Sequence, residues 1–147
     1  MTFKEELLGD IATVRRDANR KRRQALPDNE WWEEVREAEI QPVLADVEEA
    51  LNQDGIGGEE KKKNGGSGIT LLAARPELAR HLTFTHMTGK IKVTSSEASI
   101  EEIWDDRNHV TAENVAAKAR AFVRLVAAAV NLDGPRSIYE HRGILSF

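Results

Sequence analysis

The spacing of apolar residues changes twice along this chain. From Phe3 to Gln53, and again from His109 to Asn131, they recur three and four apart; between Ile69 and Ser95 they alternate. The first spacing gathers side chains on one side of a helix, the second on one side of a strand. The pattern predicts an α+β fold in three parts. Residues 1–54 form an N-terminal antiparallel helical hairpin, and 55–68 a flexible linker loop. Residues 69–147 form a small antiparallel sheet of three to four strands, with a C-terminal helix packed on it and a docking tail, all within reach of being one continuous domain.

The first helix is expected over Phe3–Gln24. Thr2 and Glu5 have the Thr-x-x-Glu spacing of a capping box. Phe3, Leu7, Ile11, Val14 and Ala18 lie on one face, with Leu8 at its edge. Beyond Ala18 the stripe gives way to Asn19-Arg20-Lys21-Arg22-Arg23-Gln24. The front of the helix is therefore expected to pack on something and its far end not to. The turn at Leu26-Pro27-Asp28 is short, which makes a second helix, to about Gln53, an antiparallel neighbour. That helix begins with Glu30, Glu33, Glu34, Glu37 and Glu39, which a hairpin sets beside the basic run. Pro42 should kink it. Ile40, Val43, Leu44, Val47 and Leu51 share one face, while Trp31, Val35 and Ala38 share another, so its two halves are expected to bury against different neighbours.

Gly55–Gly68, GIGGEEKKKNGGSG, reads as a polar loop with nearly balanced charge. Ile69–Ala74 reads as a strand, Pro76 as an interruption, and Leu78–Met87 with Lys90–Ser95 as a hairpin about Thr88-Gly89. A two-residue turn there pairs His86 with Ile91 and Phe84 with Val93. It collects Leu82, Phe84, His86, Ile91 and Val93 on one face and a threonine-rich set on the other. Ser99–Asp106 favours a further strand over a helical turn.

The C-terminal helix shows the clearest stripe: Val115, Ala119, Phe122, Val123, Val126 and Val130. Thr111 stands at its N-cap and Glu113 in its first turn, and Asp133-Gly134-Pro135 should stop it. Small residues on its other face, Ala117, Ala121 and Ala128, predict packing from both sides. The apolar tail, with Ile144, Leu145 and Phe147, is expected to dock on this chain or a partner.

Composition narrows the chemistry. The absence of cysteine removes disulfides, thiolate zinc sites and cysteine nucleophiles. No apolar run reaches the roughly 20 residues that span a bilayer, so no membrane role is expected. The opening Lys4-Glu5-Glu6 is unlike a signal peptide, and the expected location is the cytoplasm. The formal charge of −4 argues mildly against a general nucleic-acid binder. Glu101, Glu102, Asp105 and Asp106 would alternate sides on a strand rather than converge on a metal. His81 and His86 fall on opposite faces, and no HExxH or glycine-rich phosphate cradle occurs. No catalytic residue, metal, cofactor or small-molecule substrate is assigned.

Two features remain. Trp31 and Trp32 point about 100° apart on a helix, so one neighbouring helix cannot cover both. Beside Arg16, Arg20, Arg22 and Arg23, and with Val35, they suggest a contact surface at the hairpin tip, since Trp and Arg dominate binding hot spots. The expected function is a non-enzymatic protein-interaction module: an adaptor, a small inhibitor or a subunit of a bacterial or phage assembly. It would bind a protein partner or form a homodimer through the hairpins, with the sheet edge as a second contact. The alternative is nucleic-acid association through Arg15, Arg16, Arg20, Lys21, Arg22 and Arg23, by neutralising phosphates.

Overall fold

A computed structural model describes residues 2–63, 68–73 and 80–142, with side chains described over 2–61, 68–72 and 80–129. The order is α1 (Phe3–Gln24), α2 (Asp28–Val35), a π-turn (Arg36–Ile40), α3 (Gln41–Gln53), β1 (Gly58–Lys63), β2 (Gly68–Ala73), β3 (His81–Met87), β4 (Lys90–Ser95), β5 (Glu102–Trp104) and α4 (Ala112–Arg142). Short 3-10 turns at Ala98–Ile100 and Arg107–His109 flank β5. The fold is α+β, as the spacing predicts, with one strand more than expected. The five strands form one antiparallel meander in the order β1-β2-β3-β4-β5.

The additional strand comes from the stretch expected to be a loop. Gly58–Lys63 pairs along its length with β2, from Gly58↔Ala73 to Lys63↔Gly68. A run of Glu and Lys is unusual inside a sheet, but β1 is an edge, where charge discourages pairing with other chains. α3 holds it there. The Glu48 carboxylate accepts from the Glu60 N–H at 2.9 Å, and Asn52 accepts from the Gly58 N–H at 2.9 Å. Gly58 lies so close to α3 that a Cβ would come within 3.1 Å of Leu51 Cδ1. The β3–β4 hairpin has the expected register, with His86↔Ile91 and Phe84↔Val93, and Gly89 takes φ +73 in its turn. Ile69, Leu71, Leu82, Phe84, Ile91 and Val93 are buried on one face. Thr70 and Thr83 share a 2.9 Å hydrogen bond on the other. Ser99–Asp106 supplies β5, in line with the strand expectation.

The second helix departs from expectation in an instructive way. The Gln41 N–H reaches back to the Arg36 carbonyl, five residues away, so one turn is wider than α. The wider turn sets the following face back by roughly a right angle relative to a continuous α-helix. It also places Pro42 in the first turn of α3, where a missing N–H is harmless. Consequently Trp31, Trp32 and Val35 before the turn and Ile40, Leu44 and Leu51 after it enter the same core. The two halves share one core but meet different parts of it, as the pattern anticipates: the first lies against His86 and Arg107, the second against β1, β2 and α4.

α4 contributes Val115, Ala119, Phe122, Val126 and Ala129 to that core. Of its small-residue face, Ala121 is half-buried against the core, while Ala117 and Ala128 are exposed, so packing from both sides is not found among the described residues. The helix also runs through Asp133-Gly134-Pro135 to Arg142 rather than stopping there; an internal proline gives up its own backbone bond without necessarily ending a helix. The expectations for Pro76, the start of the Leu78–Met87 strand and the docking tail fall outside the described residues.

Candidate functional site

α1 meets the rest of the molecule only near its C-terminal end. Every residue from Thr2 to Ala18 is exposed. Beyond that point the contacts are ionic and dense. Glu39, 3% exposed, accepts from Arg20 Nη2 at 2.7 Å, from Arg23 Nη1 at 3.0 Å, and from the Ala112 N–H at 2.8 Å. One carboxylate thus ties α1, the π-turn and the start of α4 together. Burial pushes the Glu39 carboxyl up, but the two guanidinium groups and the amide outweigh it and hold it below its ordinary value. Arg20 also donates to Glu113 at 2.7 Å, and Arg16 lies 3.8 Å from the same carboxylate. The Glu113 carboxyl is held low by its own backbone N–H and by Arg20. Arg22 forms a two-pronged pair with Glu34, its shorter bond 2.7 Å.

A second clamp acts on the turn between α1 and α2. Arg107 Nη1 donates to the carbonyls of Gln24 at 3.0 Å and Leu26 at 2.7 Å. The end of α1 leaves such carbonyls without helical partners, and a guanidinium suits both their geometry and the helix dipole. Asp28, at the head of α2, accepts from the Gly89 N–H at 3.2 Å and lies 3.5 Å from Arg107. The hairpin is thereby fixed to the sheet.

Trp31 and Trp32 are 1% and 3% exposed, and Val35 is as deeply buried. The expectation of an uncovered tryptophan tip is therefore corrected. The sheet covers the rings. His86 stacks on Trp32 with ring centres 5.3 Å apart and planes within 6°, and its ring centre is 6.2 Å from that of Trp31. Arg107 lies over Trp31 at 4.9 Å and Arg36 over Trp32 at 5.9 Å. A helix lying on a sheet has more of its circumference covered than one beside a single helix. His86 Nε2 is 2.9 Å from Asp28 Oδ2, off the line of a directed hydrogen bond.

The basic run is likewise occupied. Arg16, Arg20, Arg22 and Arg23 face carboxylates of α2, the π-turn and α4, as the hairpin charge pattern anticipates. Arg15 and Lys21 form no ion pair among the described residues. Among the described residues no group of three carboxylate, histidine or cysteine side chains is placed to hold a metal, and no helix is long and apolar enough to cross a membrane. Glu102 pairs with Lys118 of α4 at 2.7 Å.

Among the described residues, most of the exposed large apolar side chains lie on the front of α1, with Met87 and Ile103 exposed elsewhere. Phe3, Leu7, Leu8, Ile11 and Val14 are 43–73% exposed. Leu7, Ile11 and Val14 form a continuous stripe, and Arg16, Arg20 and Arg23 recur at the same spacing on the opposite side. From Leu7 to Arg16 is nine residues, two and a half turns, which is half a revolution. The face that carries the anchor is opposite the face that carries the stripe, so the stripe points away from its own body. The expectation that the front packs and the far end does not is reversed among the described residues: the front is bare, and the far end is held by Glu39 and Arg107. The stripe was legible in the sequence; that the other described elements leave it bare was not.

No family model, characterised protein or solved structure matches this chain.

Proposed function

We propose that the chain is a protein-interaction module whose contact surface is the exposed stripe of α1, not the tryptophans near the hairpin turn. One observation carries this: five large apolar side chains stand on a helix whose opposite face is locked to the body by Arg20, Arg23 and Glu39. Covering them with the described parts of the body would require rotating α1 out of that network. A helix of this length, interrupted by Gly9 and with few alanines, is also marginal on its own in water. A partner helix or groove supplies what it lacks, in the manner of helix-in-groove recognition. The basic run supports the nucleic-acid alternative less, because four of its six cations are already neutralised in the chain. A lipid surface has no one-signed charge to attract it: Glu6, Asp10 and Asp17 flank one side of the stripe and Arg15 and Arg22 the other, and the polar face lacks the excess of cations that anionic headgroups favour.

The test is site-specific photo-crosslinking in cells that express the full chain. A photoreactive residue at Leu7 or Ile11 should give a discrete protein adduct. The same residue at Thr13, exposed and turned at least about 100° from each stripe residue, should give none. Equal labelling from both faces, or none from either, overturns the proposal. So does sedimentation with anionic vesicles that Ile11→Glu abolishes in the absence of any protein adduct.

A further inference from the structure

Resting on that contact surface, we propose that its occupant is α1 of a second copy of this chain, the two helices running parallel as a short coiled pair. The stripe has coiled-coil spacing: Leu7, Ile11, Val14 and Ala18 are separated by four, three and four residues. Leu7 and Val14 then take the d positions, Lys4, Ile11 and Ala18 the a positions. A β-branched residue at a with Leu at d suits two strands, and a lysine at one a position restricts the oligomer further.

The flanks decide the orientation. In a parallel pair, each g position faces the e position five residues later in the partner; in an antiparallel pair, g faces g and e faces e. Here g is occupied by Phe3, Asp10 and Asp17, and e by Leu8, Arg15 and Arg22. Parallel packing sets Phe3 against Leu8, Asp10 against Arg15 and Asp17 against Arg22, so every crossing is complementary. Antiparallel packing sets the two aspartate flanks against each other. Asp10, Arg15 and Asp17 make no ion pair among the described residues of the single chain, which leaves them free for this role. Arg22 already holds Glu34, so the Asp10–Arg15 pair is the decisive one.

Area and geometry agree. The five exposed side chains present on the order of 500–600 Å² per copy, taking about 170–240 Å² for each when fully exposed. Fully covered, two copies would bury at most about 1,000–1,200 Å² together, the size of a weak, reversible pair. Arg20 and Arg23 anchor each body on the side of α1 away from the proposed seam.

The absence of native cysteine makes orientation directly testable on the full chain. Leu7→Cys and Val14→Cys should each oxidise to a disulfide-linked dimer with itself, while Thr13→Cys, on the outer face, should not. Ile11→Glu should weaken self-association measured by sedimentation by at least about 100-fold. Gly9→Ala, at a position where an added Cβ meets nothing within 4 Å, should tighten it by about tenfold. Neither variant touches the body, and unchanged near-ultraviolet circular dichroism of the buried tryptophans verifies that. Cross-linking of Leu7→Cys with Ile11→Cys, a d position with an a position, in preference to Leu7→Cys with itself would overturn the parallel arrangement. A chain that stays monomeric at submillimolar concentration, with no cross-link from either cysteine, would overturn self-pairing. If photo-crosslinking from Leu7 then finds a different protein, the interaction surface stands and only its occupant changes.

Discussion

Glu39 is the residue on which the position of α1 depends. A nearly buried carboxylate with two arginines and a helix-opening amide has its neighbours' charges fixed around it, so deleting its charge leaves cations facing a polar but neutral group. Glu39→Gln should cost about 2–4 kcal/mol, at or below the lower part of the range for breaking a buried pair because Arg20 keeps some access to solvent. The sign of the pH effect follows from the folded carboxyl being held below its ordinary value near 4.5. Between those two values the unfolded chain binds the extra proton and the folded chain does not, so stability rises with pH. The contribution is complete above about pH 4.5 and is lost as pH falls through the folded value. Glu113 acts in the same direction. Urea titrations across this acid range should therefore show a slope that Glu39→Gln flattens; an unchanged slope would mean that the carboxylate is not what holds α1. In the sequence Glu39 was one of five acids opposite a basic run, and nothing in the pattern singled it out. What distinguishes it is the start of α4, which lies 73 residues further on.

At the scale of elements, the periodic parts were legible and the accommodations between them were not. The capping box at Thr2 and Glu5, the β3–β4 register and the core stripe of α4 follow from local chemistry and are present as expected. Gly58–Lys63 was not legible as a strand, because its composition is that of a loop and only pairing with β2 makes it extended. The π-turn was equally hidden: Pro42 signalled an irregularity, but not that one extra residue would bring both halves of the helix onto one core. That account predicts the outcome of deleting Ala38. The shortened turn should revert to α geometry and rotate α2 by about 100° relative to α3. Trp31 and Trp32 would then leave His86 and Arg107, and near-ultraviolet circular dichroism and tryptophan emission should both report exposure. If the indoles stay buried in a stable fold, the turn is not what aligns the two halves.

The whole molecule divides into a body that contains the core and an arm that contributes nothing to it. Residues buried in the single cluster come from α2 through α4, and none comes from the front of α1. The arm therefore has only its own backbone bonds, one N-terminal cap and the anchor at its far end to keep it helical, against a nucleation cost that short helices meet poorly. Its opening is a local event, independent of the core. Amide exchange should consequently separate the two parts. In dilute protein Leu7–Val14 should exchange far faster than α2, α3 or the sheet, at rates set by fraying of the arm alone. A partner that binds only the helical arm stabilises it by mass action. If the partner is another α1, protection over Leu7–Val14 should rise with protein concentration while that of Phe84, Ile91 and Val115 stays constant. Ile11→Glu should remove the concentration dependence and leave the body's protection as it was. Protection of the arm equal to that of the core in dilute monomer would place it in the cooperative unit, and the division into a body and a free arm would fail.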